Sequence, residues 1–173
     1  MLGSRRQLLA GLFAFCATGC VCGGQQDDSS YWNKVYSTGQ AIFVHHPTQL
    51  LINAIRGRRP GTALDIGMGQ GRNSIFLAQQ GWDVTGFDLS EEGVRQSRER
   101  AAKLGLHLRA LVVREADFDL GTAQWDLIVM TYVRCVRPTD ADRFARALRP
   151  NGIFVYENNN VGNQNDLLKY FLA

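Results

Sequence analysis

Between residues 62 and 156, short apolar runs alternate with stretches of helical periodicity, the pattern expected of strand–helix units feeding a parallel sheet. The runs at 62–66, 82–87, 108–113, 125–130 and 153–156 have strand length and are rich in Val, Ile, Leu and Phe. They are near-continuous rather than alternating, which marks strands covered on both faces. Residues 72–80 bring Ile75, Phe76 and Leu77 to helix-compatible positions before Gly81 stops the helix, and Ser90 offers an N-cap to a helix after the second run. Residues 139–148 place Phe144, Ala147 and Leu148 on one helical face, and Pro150, Asn151 and Gly152 form a turn into the fifth strand. The polar residues 158–160 then read as a loop.

The chemistry concentrates where the first strand hands over to the first of these helices. Asp65 is followed by Gly67, Gly69 and Gly71, so an acid and three alternate glycines occupy the strand-to-helix turn. Such a turn lets a ligand approach the backbone closely and faces it with the unpaired N–H groups of a helix N-terminus. A dinucleotide fingerprint spaces its glycines G-x-G-x-x-G, and here the spacing is G-x-G-x-G. At these residues the chain resembles the class I S-adenosylmethionine (SAM)-dependent methyltransferases. The second run ends at Asp88, about twenty residues beyond Gly67, where a carboxylate at a strand tip accepts both hydroxyls of a ribose. The alternative for Asp88 is a helix-capping role beside Ser90. Beyond the third run, Asp117 with Phe118 matches the place where the resembled family binds adenine.

The resemblance covers residues 31–173 and implies an α/β, Rossmann-like doubly wound parallel sheet in the order 3-2-1-4-5, with ligands outside the carboxyl ends at the switch between strands 1 and 4. It implies S-adenosyl-L-methionine as cofactor, with Asp65 orienting the loop, Gly67, Gly69 and Gly71 admitting the ligand, and Asp88 with Leu89 at the ribose. Trp32, Asn73 and Thr131 complete the implied cofactor set. Gly71-Arg72-Asn73-Ser74 and the stretch from Gly81 to Gly86 look like the small-molecule methyltransferases related to the tellurite-resistance and thiopurine enzymes, which implies a sulfur or chalcogen acceptor. The expected function is in-line methyl transfer to a small-molecule acceptor. The alternative is a SAM-binding, catalytically silent remnant or membrane-tethered binding module. A nicotinamide oxidoreductase would share Asp88 but not the glycine spacing. The acceptor pocket is expected from residues 31–46, from the loop after strand 4 with Thr131, Tyr132, Arg134 and Cys135, and from 157–160. No catalytic residue is assigned; His45, His46 and Tyr132 are the candidates, the histidines because their ordinary pKa lies near neutrality.

Length and composition change this picture little. The chain has 173 residues, 45% of them hydrophobic, enough for one core. A net charge of +3 from 19 basic and 16 acidic residues, with no basic block, gives no case for nucleic acid. Cys16, Cys20 and Cys22 lie in an N-terminal apolar stretch, Cys135 stands by itself, and no metal-ligand spacing is present. Residues 1–24 read as a signal-like or anchor segment, with Arg5 and Arg6 ahead of an apolar stretch too short for a comfortable membrane span. The domain is then 25–173, exported or membrane-attached if that signal is real and cytoplasmic if translation starts near Gln25. Oligomeric state is left open. The resembled family continues past strand 5 with a helix and strands 6 and 7. Here residues 166–172 are expected to begin that helix and the two strands to be lacking, leaving the fifth strand an apolar edge in a C-terminally truncated domain or under a partner.

Overall fold

The structure, a computed structural model, describes residues 29–38, 46–133, 140–158 and 169–172, the last four by their backbone. The signal-like segment, His45, Arg134 and Cys135 lie outside the described residues. Helices α1 (Ser29–Thr38) and α2 (Gln49–Ile55) precede the first strand. Then β1 (Thr62–Ile66), α3 (Arg72–Gln79), β2 (Asp83–Asp88), α4 (Glu91–Lys103), β3 (Arg109–Val112), a 3-10 turn at Glu115–Asp117, β4 (Trp125–Thr131), α5 (Ala141–Ala147) and β5 (Leu148–Glu157) follow in the expected alternation.

The five strands are parallel in the order β3-β2-β1-β4-β5. Side chains alternate across them, so each strand feeds two cores. Ala63, Val84, Val129 and Val155 face Leu51 of α2 and Leu77 of α3. Leu64, Ile66, Ile128, Met130 and Phe154 face Phe144 and Ala147 of α5. Both faces being covered explains why the strands read as unbroken apolar runs. Phe144 stacks on Phe154 with centroids 4.6 Å apart, fixing α5 over the end of the sheet. Helix α2, which the apolar pattern does not single out, starts at Thr48, whose hydroxyl accepts from Leu51 N at 3.3 Å.

Two details differ from expectation. The turn at 150–152 falls within β5: pairing jumps from Trp125↔Leu148 to Leu127↔Ile153, and Asn151 has φ +67. The C-terminal residues do not continue as a helix. Lys169–Leu172 forms β6, antiparallel to β5, with Ile153 opposite Leu172 and Tyr156 opposite Lys169. The edge of β5 is therefore paired over these residues. The N–H and C=O groups of an apolar edge strand are an open template. Among the described residues no further strand follows, and none of their helices is long and apolar enough to cross a membrane.

Candidate functional site

The C-terminal ends of β1, β2 and β4 meet at the point where the strand order reverses. After Ile66 the chain turns through Gly67 (φ +67) and Gly69 (φ +51) into α3. Only glycine adopts these angles without strain. Space also requires it, because a Cβ on Gly67 would collide with the Val133 side chain and one on Gly69 would stand 2.5 Å from the Tyr36 hydroxyl. Gly71 serves a different need: its Cβ would meet Ser97 Oγ at 2.5 Å, so this glycine lets α4 pack close.

Asp65 lies beneath the loop, 1% exposed, and its Oδ2 accepts from Ser74 Oγ at 2.6 Å. Burial pushes its carboxyl up to about 6, against the Ser74 bond and the Arg72 charge, which favour ionisation. Asp65 thereby ties the end of β1 to the first turn of α3. Asp88 does the corresponding work for β2: Oδ2 accepts from Gly69 N and Oδ1 from Ser90 N, both at 2.8 Å. Burial raises its pKa, and those N–H donors oppose the rise. Ser90 caps α4 by accepting from Gly93 N at 3.1 Å. Asp88 thus stands both at a helix start and on the wall of a cleft.

That cleft opens over the strand tips, with Gly67, Phe87, Asp88 and Leu89 on one side. Val113 and Glu115 form its end, and Tyr132 with Val133 line the β4 side. Helix α1 closes it with Trp32 and Tyr36. The helix is docked through Asn33, whose Oδ1 accepts from Ser90 Oγ at 2.7 Å and Glu92 N at 3.1 Å, while Gln96 Nε2 donates to Tyr36 O at 3.1 Å. Burial, with Asp88 nearby, raises the pKa of the Tyr36 phenol. The enclosed space is about 60 Å³. Helix α1 thus narrows the way in for a ligand of nucleoside size.

Of the expected cofactor residues, Trp32, Gly67, Asp88 and Leu89 line this cleft, and Gly69 and Asp65 support its floor. Asn73 and Thr131 are instead a buried brace: Asn73 Nδ2 donates to Thr131 Oγ1 at 3.0 Å and Asn73 Oδ1 accepts from Thr48 N at 3.3 Å, locking α2 and α3 to the end of β4. Phe118 is packed behind Phe87, with centroids 4.3 Å apart, and touches the cleft only through that ring. Asp117 is exposed and off the cleft. The 3-10 turn presents Glu115 in its place, held by Arg143 at 3.0 Å. His46 is exposed, before α2 and away from the cleft, whereas Tyr132 lies on its wall. Glu115 and Val113 are residues that sequence reasoning missed; Tyr36, expected only as part of the 31–46 segment, follows Trp32 by one helical turn, a spacing that puts both on one face.

The model of the methyltransferase domain matches residues 63–152, from β1 into β5. The ribosomal RNA small subunit methyltransferase C of Alcanivorax borkumensis is 30% identical over 108 residues, 54% of this chain and 33% of that protein. A Haemophilus influenzae protein described as the probable S-adenosyl-L-methionine-dependent methyltransferase TehB is 30% identical over 118 residues, 66% of this chain and 37% of its own length. Among solved structures, the Burkholderia thailandensis 1,6-didemethyltoxoflavin-N1-methyltransferase, with bound 1,6-didemethyltoxoflavin and S-adenosylhomocysteine, superposes with a TM-score of 0.59 at 25% identity, covering 74% of this chain and 59% of that one. The chain spans about a third of the length of these two curated relatives. The matched segment is more than half of the chain and carries the glycine turn, Asp88 and the strand order, so the chain belongs to the methyltransferase domain family.

Proposed function

We propose that this chain binds S-adenosylmethionine over the tips of β1 and β2 and methylates a small-molecule acceptor held against β4 and β5. One observation carries the reading: the N–H of Gly69 and the carboxylate of Asp88 are joined at 2.8 Å on the floor of a cleft that any side chain at Gly67 or Gly69 would fill. The residues fit the cofactor. Asp88 offers carboxylate oxygens to ribose hydroxyls, the glycine turn supplies backbone close to the ligand, and Phe87, Val113 and Leu89 give apolar surface for an adenine ring. The acidic lining, Asp88 and Glu115, favours a cationic ligand.

When bound, the cofactor supplies a methyl group already activated on a sulfonium sulfur. The chain's task is then to hold two reactants in line and keep water out, and positioning supplies much of such a rate. Trp32 and Tyr36 on α1 cover the cleft, and Asp65, through Ser74, keeps the loop at its height. The acceptors of the relatives differ, a ribosomal RNA in one name and a small heterocycle in another. The small-molecule reading is supported by the likeness to the methyltransferase solved with bound 1,6-didemethyltoxoflavin and by the helix that covers the cleft.

Isothermal titration of the chain with S-adenosylmethionine, and with NADH as control, tests the cofactor reading. Micromolar binding of the first and no response to the second are expected. The reverse, or no binding by folded protein, overturns it. Formation of S-adenosylhomocysteine with a supplied acceptor separates turnover from silent binding.

A further inference from the structure

We propose that Tyr132 and Glu157 form the acceptor subsite, and that it takes an uncharged acceptor whose nucleophilic nitrogen or oxygen still carries its proton. A thiolate or oxyanion is disfavoured there. The inference rests on the reading of the cleft as a donor site.

Tyr132 follows the last residue of β4 with φ +60, a left-handed conformation that is a genuine outlier for a bulky side chain. Such strain persists only where the surroundings over-determine it. Here one residue does so at both ends: Tyr132 N donates to Glu157 O at 2.8 Å, and the Tyr132 hydroxyl donates to Glu157 Oε1. The result is a phenol held on the cleft wall.

The direction of that hydroxyl bond decides what the phenol offers. Its single proton is committed to Glu157 and Arg72 donates toward Oη, so the oxygen keeps only its remaining acceptor capacity and calls for a hydrogen-bond donor on the ligand. Burial and the Glu157 charge push the phenol up to about 12, so it is neutral at ordinary pH. The second oxygen, Glu157 Oε2, is buried with no hydrogen-bond partner, a carboxylate with capacity to spare for a proton.

Charge points the same way. Among the described residues the charged groups lining the cleft, Asp88 and Glu115, are both acids, and Glu157 stands behind Tyr132. The facing cation among the described residues, Arg72 of α3, lies over the Tyr132 ring at 5.0 Å, bonds to its hydroxyl and reaches Thr131 Oγ1 at 3.5 Å, behind the cleft wall. Three acids against that one cation leave the described part of the site net negative, so an anionic acceptor meets like charge. Methylation of a proton-bearing acceptor balances within the pair. The acceptor atom gains the methyl carbon as the donor's carbon–sulfur bond breaks with its electrons left on sulfur. The acceptor's proton passes to Tyr132 Oη, and the proton of Tyr132 passes to Glu157. Tyr132 touches the acceptor; Glu157 acts through it as a positioning and proton-holding residue.

Titration of the full chain, first with S-adenosylhomocysteine and then, on the saturated complex in mildly alkaline buffer, with phenol and with thiophenol, tests this. The two rings match, but one keeps its O–H and the other is a thiolate. Phenol is expected to bind about tenfold or more tighter than thiophenolate. Tyr132→Phe should lower phenol affinity by up to about tenfold, the size of one lost hydrogen bond. Glu157→Gln should narrow or reverse the phenol preference by removing the repelling charge, a change that a merely structural role would not make. Each variant is first titrated with S-adenosylhomocysteine, and phenol and thiophenol are compared on its own saturated complex. A saturated complex that binds thiophenolate as well as phenol, or binds neither, overturns the proposal, as does parental phenol binding by Tyr132→Phe. Failure to bind S-adenosylhomocysteine removes the donor site itself and the proposal with it.

Discussion

Gly69 N donates to Asp88 Oδ2 at 2.8 Å, so the glycine turn after β1 and the tip of β2 form one hydrogen-bonded unit. The same carboxylate also receives Ser90 N, at the start of α4. Asp88→Ala should thus act twice. Affinity for S-adenosylmethionine should fall by about 1.5–3 kcal/mol through lost charge-assisted hydrogen bonds, and folding stability should fall by about 1–3 kcal/mol because two buried N–H groups lose their acceptor. Calorimetric titration and urea melts read the two effects separately.

Gly69→Ala tests the cradle. At φ +51 an L-residue costs roughly 1–2 kcal/mol, and the new methyl stands against the Tyr36 hydroxyl. Cofactor affinity is expected to drop at least about tenfold. Adding Tyr36→Phe should restore part of the stability, since it removes the nearest atom while leaving the backbone strain. A melting curve for each single variant and the pair checks this.

Asn33→Ala should loosen the cover. Its carboxamide oxygen receives both Ser90 Oγ and Glu92 N, and losing it should cost about 1 kcal/mol of α1 docking. Hydrogen exchange across 29–38 should quicken several-fold while the strands keep their protection. Cofactor association should become faster, since Trp32 and Tyr36 of this helix cover the cleft.

Asp65 predicts a pH signature. Its pKa rises from 3.8 in the unfolded reference to about 6 when buried, so the folded state retains a proton that the unfolded chain releases in that window. Its ionisation therefore lowers stability as pH climbs from about 4 to about 6. Asp65→Asn removes this cost while leaving an oxygen for Ser74. The stability of the variant relative to the parent should rise by roughly 2–3 kcal/mol across that range, read from urea melts at each pH.

Thr131→Val removes the acceptor of Asn73 Nδ2 inside the brace. It should cost about 1–3 kcal/mol of stability with little change in cofactor affinity. A large loss of affinity at parental stability would return Thr131 to the cofactor set.

The sequence by itself determined the parts of this protein that local rules govern. Five unbroken apolar runs specify strands covered on both faces, because only such strands need no polar face. The glycines at 67 and 69 announce a turn that residues with side chains make only at a cost, and an acid at the end of the next strand announces a polar tip. What the tertiary structure decided is which side chains meet. Asn73 and Thr131 are distant in sequence and pair because α3 lands against the end of β4. Glu115 displaces Asp117 from the cleft because the 3-10 turn rotates one toward it and the other to the surface. Residues 169–172 pair with β5 as a strand, since an open edge offers backbone partners that local preference does not register. The Tyr132–Glu157 contact joins two strand ends 25 positions apart, and only the parallel register of β4 and β5 brings them together.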